Sequence, residues 1–281
     1  MVAVQQGTIS LTQALEPGDV NHFTGKSYKD EYYWGIPWMF GFDPGVLRKV
    51  VICDSQLVQE EAFIHPGWYS TMLYTADSRE QFTPSGYSAI YQGYAGYWQE
   101  FICRRQYLYF RDHPNRLLSD KELPTHNLPS VLACIPLAED WQVLTDKLRK
   151  EQEQYPDRKL SSLGGEYLDF YVFPDEYLLD SIQFIPQDEG YIFTTVFVEN
   201  GEEAWLFAAK NLKQGPVAKL TLPEGVSFGF TLHSEYFDTL VPARHSYRVD
   251  RISCALRSVA RVPGEFIFNQ PDAVFNRSQR T

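Results

Sequence analysis

The sequence predicts a mainly β protein of antiparallel sheets carrying a single amphipathic helix. Three observations predict it. Aromatic residues make up 15% of the 281 positions, with 18 Tyr, 19 Phe and 6 Trp, and such rings fit the pleated, half-buried face of a sheet. Apolar and aromatic residues come in short runs separated by Gly and Pro, the punctuation of strands joined by turns. Only one stretch, near 137–155, keeps the longer period of a helix.

The elements follow in chain order. In the first half the runs are 31–38, 47–53, 68–74, 87–91 and 97–110, cut by Pro44-Gly45, Pro66-Gly67, Pro84-Ser85-Gly86 and the glycines at 93 and 96. Each reads as an antiparallel strand. Leu137, Trp141, Leu144 and Leu148 then fall at helical spacing, with Glu139, Asp140, Lys147, Arg149 and Lys150 on the opposite side and Pro156 as the stop. That is the amphipathic helix, its apolar stripe facing a sheet. Strands resume at 167–173, 182–185, 191–199, 204–209, 217–222 and 226–236. Asn200-Gly201 between two apolar runs is a hairpin turn, because both residues tolerate positive φ. Residues 247–268 fit helix or strand, and the polar tail beyond Asn269 reads as frayed. The chain is expected to form one mainly β domain, 1–281, with a candidate lobe boundary near 137–160.

Composition excludes several classes. A net charge of −11 argues against nucleic acid, whose phosphates call for a basic stripe. The arginines at 244, 248, 251, 257 and 261 read as a solvated face. Cys53, Cys103, Cys134 and Cys254 are scattered without a Cys-x-x-Cys pair, which fits thiols in a reducing compartment. The start, Met1-Val2-Ala3-Val4-Gln5-Gln6, lacks the basic and apolar regions of a signal peptide. No run of about eighteen apolar residues occurs. A cytoplasmic protein is expected. Gly86-Tyr87-Ser88-Ala89-Ile90 lacks the final Gly of a hydrolase elbow. Phosphate loops, dinucleotide fingerprints and His-Glu-x-x-His are missing too.

One stretch says more. Ser181-Ile182-Gln183-Phe184-Ile185-Pro186 is followed by Asp188-Glu189-Gly190-Tyr191 and by Ala208-Ala209-Lys210-Asn211-Leu212. Gly215-Pro216-Val217-Ala218-Lys219-Leu220-Thr221-Leu222-Pro223 comes next, then Gly229-Phe230-Thr231-Leu232-His233. A strand, an acidic turn, two further strands and a late histidine resemble the C-terminal segment of the carotenoid cleavage oxygenases, over about a fifth of the chain. The resemblance implies propeller-like antiparallel sheets. At about 40 residues per blade a full ring of about seven would consume the whole chain, so a reduced or partial propeller is expected.

The resemblance also implies Fe(II) held by four histidines with open positions for oxygen, which neutral imidazole suits. It implies cleavage of a carotenoid or apocarotenoid, an apolar substrate that brings peripheral contact with a membrane. His233 is the iron ligand candidate inside the matched stretch. Thr231 stands where the family has its histidine. His233, two residues on, faces the same side of a strand and either serves with a slip or marks a lost ligand. His65, His113 and His126 are the candidates for the remaining positions. His65-Pro66 and His113-Pro114 share a family context, whereas His126-Asn127 and His22-Phe23 are only fragments of one. Glu166 and Glu235 are the candidate carboxylates that would orient ligating imidazoles. Phe230, Tyr94 and Trp98 are the rings expected to stack on a polyene, although packed strands need rings in the same places. Two functions stand side by side: an Fe(II)-dependent cleavage dioxygenase, and a non-catalytic all-β relative that has lost the metal and binds an apolar ligand or a protein partner. A third arrangement is a shortened chain whose remaining blades come from another copy or a partner.

Overall fold

The computed structural model describes residues 2–5, 15–28, 41–76, 88–199, 201–223 and 225–228. By internal contacts the chain divides into Met1–Tyr236 and Phe237–Thr281, and the described residues all belong to the first unit. They form a mainly β structure in three antiparallel sheets. The first sheet orders β1 (Val2–Gln5), β2 (Pro44–Cys53) and β3 (Gln56–Tyr69). The second runs β4 (Thr71–Ala76), β5 (Ala89–Tyr94), β6 (Val131–Pro136) and β7 (Asp169–Val172). The third runs β8 (Leu178–Ile185), β9 (Tyr191–Val198), β10 (Gly201–Ala208) and β11 (Pro216–Thr221). The second and third sheets are four-stranded meanders in chain order, as propeller blades are; the described residues close no ring.

The middle sheet is buried on both faces. Successive side chains of a strand point to opposite sides, so β6 serves two cores. Val131, Ala133 and Ile135 join Leu47, Phe63 and Trp68 in one, while Leu132 packs with Phe173, Ile182, Ile192, Trp205 and Phe207 in the other. This is why β6 reads as a continuous apolar run instead of an alternating one. A third cluster gathers Phe42, Tyr69, Tyr97, Ile102, Phe110 and Leu128.

Two helices accompany the sheets. The expected helix starts a little later than its periodicity, as α2 (Trp141–Gln154), because Asp140 Oδ1 accepts the Val143 N–H at 3.0 Å and caps it there. Trp141, Leu144, Thr145 and Leu148 are its buried face. The strands on either side, β6 and β7, pair in one sheet, so the segment 137–160 links two neighbours of a single sheet. The second helix corrects the strand expected over 97–110. Residues 104–111 form α1 (Arg104–Arg111), started by a reciprocal cap in which Cys103 Sγ accepts the Gln106 N–H and Gln106 Oε1 accepts the Cys103 N–H at 3.2 Å. Its buried side carries Phe110.

Elsewhere the strand expectations hold with shifted ends, except that 68–74 is divided at Ser70, whose φ of 56° turns the chain from β3 in the first sheet to β4 in the second. Where the hairpin is expected, β9 and β10 pair antiparallel with Val198 opposite Gly201, the first residue of β10, whose φ of 143° favours glycine; Asn200 lies outside the described residues. Residues 226–228 are not a strand. The strand expected at 31–38 and the segment 247–268 lie outside the described residues. No helix among the described residues is long and apolar enough to cross a membrane.

β2 and β3 outrun their partner. β1 pairs with residues 46–49 of β2; beyond them the described strand partner of β2 is β3, and on this part of the hairpin Val51, Leu57 and Val58 are 42%, 58% and 58% exposed. The pairing steps from Val51↔Gln59 to Ile52↔Leu57, which leaves Val58 as a bulge. Nearer the body, α2 closes the outer edge of β3: Thr145 Oγ1 accepts the Ile64 N–H at 3.1 Å and donates to the Ala62 carbonyl at 3.3 Å.

Candidate functional site

His65 lies inside β3 and is 1% exposed. The sequence context His65-Pro66 fits a loop, yet the ladder with β2 jumps from Val46↔Ile64 to Pro44↔Tyr69, and that irregularity is where a strand admits a proline. Gly67 lets the chain at Leu160 press against β3, since a Cβ there would sit 2.4 Å from the Leu160 carbonyl carbon. The approach brings the Leu163 carbonyl to His65 Nε2 at 3.0 Å. On the other side of the ring, Nδ1 accepts the Gly67 N–H at 3.1 Å. The proton therefore sits on Nε2, and both nitrogens are engaged by backbone. The ring stacks on Trp68 at 3.8 Å and 7°. Burial pushes its pKa down to about 3, against the opposing pull of the Leu163 carbonyl.

The other expected site residues are dispersed. His113 follows α1, half-buried, with Nδ1 accepting the Asn115 N–H at 3.2 Å. His126 and Glu166 are exposed. Tyr94 and Trp98 are enclosed by protein, at 1% and 8% exposure. Tyr94 packs on Trp68 with a hydroxyl that has no hydrogen-bond partner, and Trp98 Nε1 donates to the Ala95 carbonyl at 2.6 Å. His233, Glu235 and Phe230 lie outside the described residues. Among the described residues, no three His, Cys, Asp or Glu side chains are grouped to hold a metal ion. With no nitrogen lone pair left on His65, the described histidines do not fit a shared iron.

A different group of side chains does converge. Residues 15–28 form a loop fastened to the segment before α1. Asn21 Nδ2 donates to the Gln99 carbonyl at 2.7 Å and to Tyr28 Oη at 2.9 Å. Its Oδ1 accepts the Phe23 and Thr24 N–H groups at 3.0 and 2.8 Å, an Asx turn. Arg105 grips Asp19 with two nitrogens, at 3.1 and 2.7 Å. So held, the His22 ring lies flat on Tyr107 of α1 at 3.6 Å and 18°, with Phe23 edge-on at 4.9 Å. Asp120, Leu123, Pro124, Thr125 and Gln99 complete a cleft of about 330 Å³.

The electrostatics of the cleft are mixed. Burial lowers the His22 pKa, Arg104 lowers it further and Asp120 opposes, so the imidazole is neutral at neutral pH. Neither ring nitrogen bonds another described residue. Asp120 is held well below the usual carboxylate range by Arg116, whose Nη1 donates to Oδ1 at 2.7 Å, and by the Tyr107 hydroxyl. Burial and Asp120 together raise the Tyr107 pKa. The cleft thus offers an imidazole able both to donate and to accept, a fixed carboxylate, an amide and apolar walls from Phe23, Leu123 and Pro124.

Sequence reasoning passed over His22 because His22-Phe23 is only a fragment of a metal-site context. The contributors sit at 22–23, 99–107 and 120–125, and no local spacing links them. The one readable signal is the turn chemistry of Asn21-His22-Phe23-Thr24-Gly25. Comparison with family models, with curated proteins and with solved structures finds no match to this chain.

Proposed function

We propose that the chain is a non-catalytic all-β protein, a relative without the metal of the oxygenases its sequence resembles, that binds a ligand or partner at its surface. The observation that carries this reading is the His22 cleft. A half-buried neutral imidazole with both nitrogens uncommitted is a recognition group, whereas the nitrogens of His65 are already satisfied by backbone. Small-ligand pockets combine apolar walls with a few oriented polar groups, as this cleft does. The net charge of −11 speaks for a partner other than nucleic acid. Cys53, Cys103 and Cys134 are thiols, which supports a cytoplasmic location.

A second reading, the Fe(II)-dependent carotenoid or apocarotenoid cleavage dioxygenase, is favoured by one observation. The stretch that resembles those enzymes contains β8 to β11, a complete four-stranded meander of the kind a propeller blade is made of. Iron content after anaerobic reconstitution with ferrous ion separates the two. The binding reading expects little iron, at a level unaffected by His233→Ala. Stoichiometric iron that disappears in His233→Ala would overturn it in favour of the dioxygenase.

A further inference from the structure

We infer that the His22 cleft takes a neutral, hydroxyl-rich ring, a single sugar unit in pyranose form. This rests on the binding reading above and names its ligand class. Size is the first argument. A cleft of about 330 Å³ stands at the lower end of small-ligand pockets, which span about 300 to 1,000 Å³; it has room for one ring.

Charge is the second. Asp120 is the carboxylate of the wall, and the Arg116 guanidinium already lies on it at 2.7 Å. Arg104 adds a further positive charge within reach of His22. With Asp120 paired to Arg116 the wall has no bare carboxylate for an ammonium ligand to neutralise, and the oxygen lone pairs that Asp120 and Gln99 keep call for a hydrogen-bond donor, which a simple anion is not. A neutral ligand escapes both penalties.

Hydrogen-bonding chemistry is the third. The imidazole of His22 presents one donor and one acceptor, and the Thr125 hydroxyl presents both. Gln99 spends its Nε2 on the Pro124 carbonyl at 3.3 Å, which leaves its oxygen as an acceptor beside the remaining lone pairs of Asp120. A sugar hydroxyl donates and accepts at once, so adjacent ring hydroxyls satisfy this mixed set, as a purely donating or purely accepting ligand would not. The apolar side is supplied by Phe23, which is 40% exposed. The C–H face of a pyranose buries against such a ring as any apolar surface does.

The test is saturation-transfer NMR on the full chain with methyl glucoside, methyl galactoside, methyl mannoside and N-acetylglucosamine. Tetramethylammonium and inorganic phosphate serve as charged competitors. Saturation of at least one sugar is expected, with affinity falling at least about tenfold in both Phe23→Ala and His22→Ala. Neither charged probe should displace the sugar. Phe23 is a surface side chain, and circular dichroism on each variant verifies the fold. No saturated sugar, affinity that stays within about tenfold of the parent in either folded variant, or displacement by tetramethylammonium or phosphate overturns the inference. Iron measured on the same samples keeps the two ideas apart: sugar binding with stoichiometric iron sinks the metal-free reading alone, and neither sugar nor iron sinks this inference alone.

Discussion

Protonating His65 would put a charge on a ring that is 1% exposed and whose two nitrogens already face backbone partners. Its folded pKa of about 3 lies below the unfolded value near 6.5, so the unfolded chain binds the extra proton between those two values. Stability is complete above pH 6.5 and is lost as pH falls, at roughly 1.4 kcal/mol per unit down to about pH 3. The drop in unfolding free energy from pH 7 to pH 5 is therefore expected to be on the order of 2 kcal/mol smaller in His65→Gln than in the parent. Urea titrations at the two pH values decide it, and an equal drop would show that the imidazole is not buried neutral. None of this was legible beside Pro66. What buries His65 is the Leu163 carbonyl, 98 residues along the chain, and a histidine next to proline carries no trace of so distant a partner. The His22 cleft was hidden for the same reason, being assembled from three stretches that meet only in the fold.

The loop 15–28 is a short element with few apolar side chains, held by polar bonds that converge on Asn21. Removing them in Asn21→Ala should cost about 1–3 kcal/mol and release the Phe23 to Gly25 turn. Amide exchange there should quicken at least about tenfold, read by mass spectrometry, while exchange in β6 stays slow. Unchanged exchange at Phe23 and Thr24 would show that the loop is held by something other than Asn21. Regular elements were easier to read than this loop. α2 announces itself through Trp141, Leu144 and Leu148, and β8 to β11 through runs bounded by Gly and Pro. α1 was misread as strand because Tyr107, Tyr109 and Phe110 carry strand propensity, while the cap that starts the helix uses a cysteine, a residue seldom read as one.

The sheets of the first unit are expected to unfold as one cooperative body, since neighbouring residues of β6 feed separate cores. Trp141 and Trp205 are each fully buried, one in each core, and Trp205 lies 5.3 Å from Phe173 with the Lys219 ammonium 3.6 Å over its ring. Trp141→Ala and Trp205→Ala should each cost about 3–5 kcal/mol and shift the same transition, with fluorescence and far-UV dichroism coinciding. Two resolved transitions would show that the cores unfold independently. Strand content was visible in the run lengths; the double burial of β6 was not, because a continuous apolar run fits a strand and a buried helix turn equally. The hairpin of β2 and β3 has a consequence for handling the protein. Its exposed apolar tip, with Val51, Leu57 and Val58, is what a neighbouring molecule would pack against in concentrated solution. The Val58 bulge skews the ladder there, and the ion pairs Arg48–Glu60 and Lys49–Glu61 lie across the same hairpin, charged side chains of the kind that discourage a second copy from pairing with it.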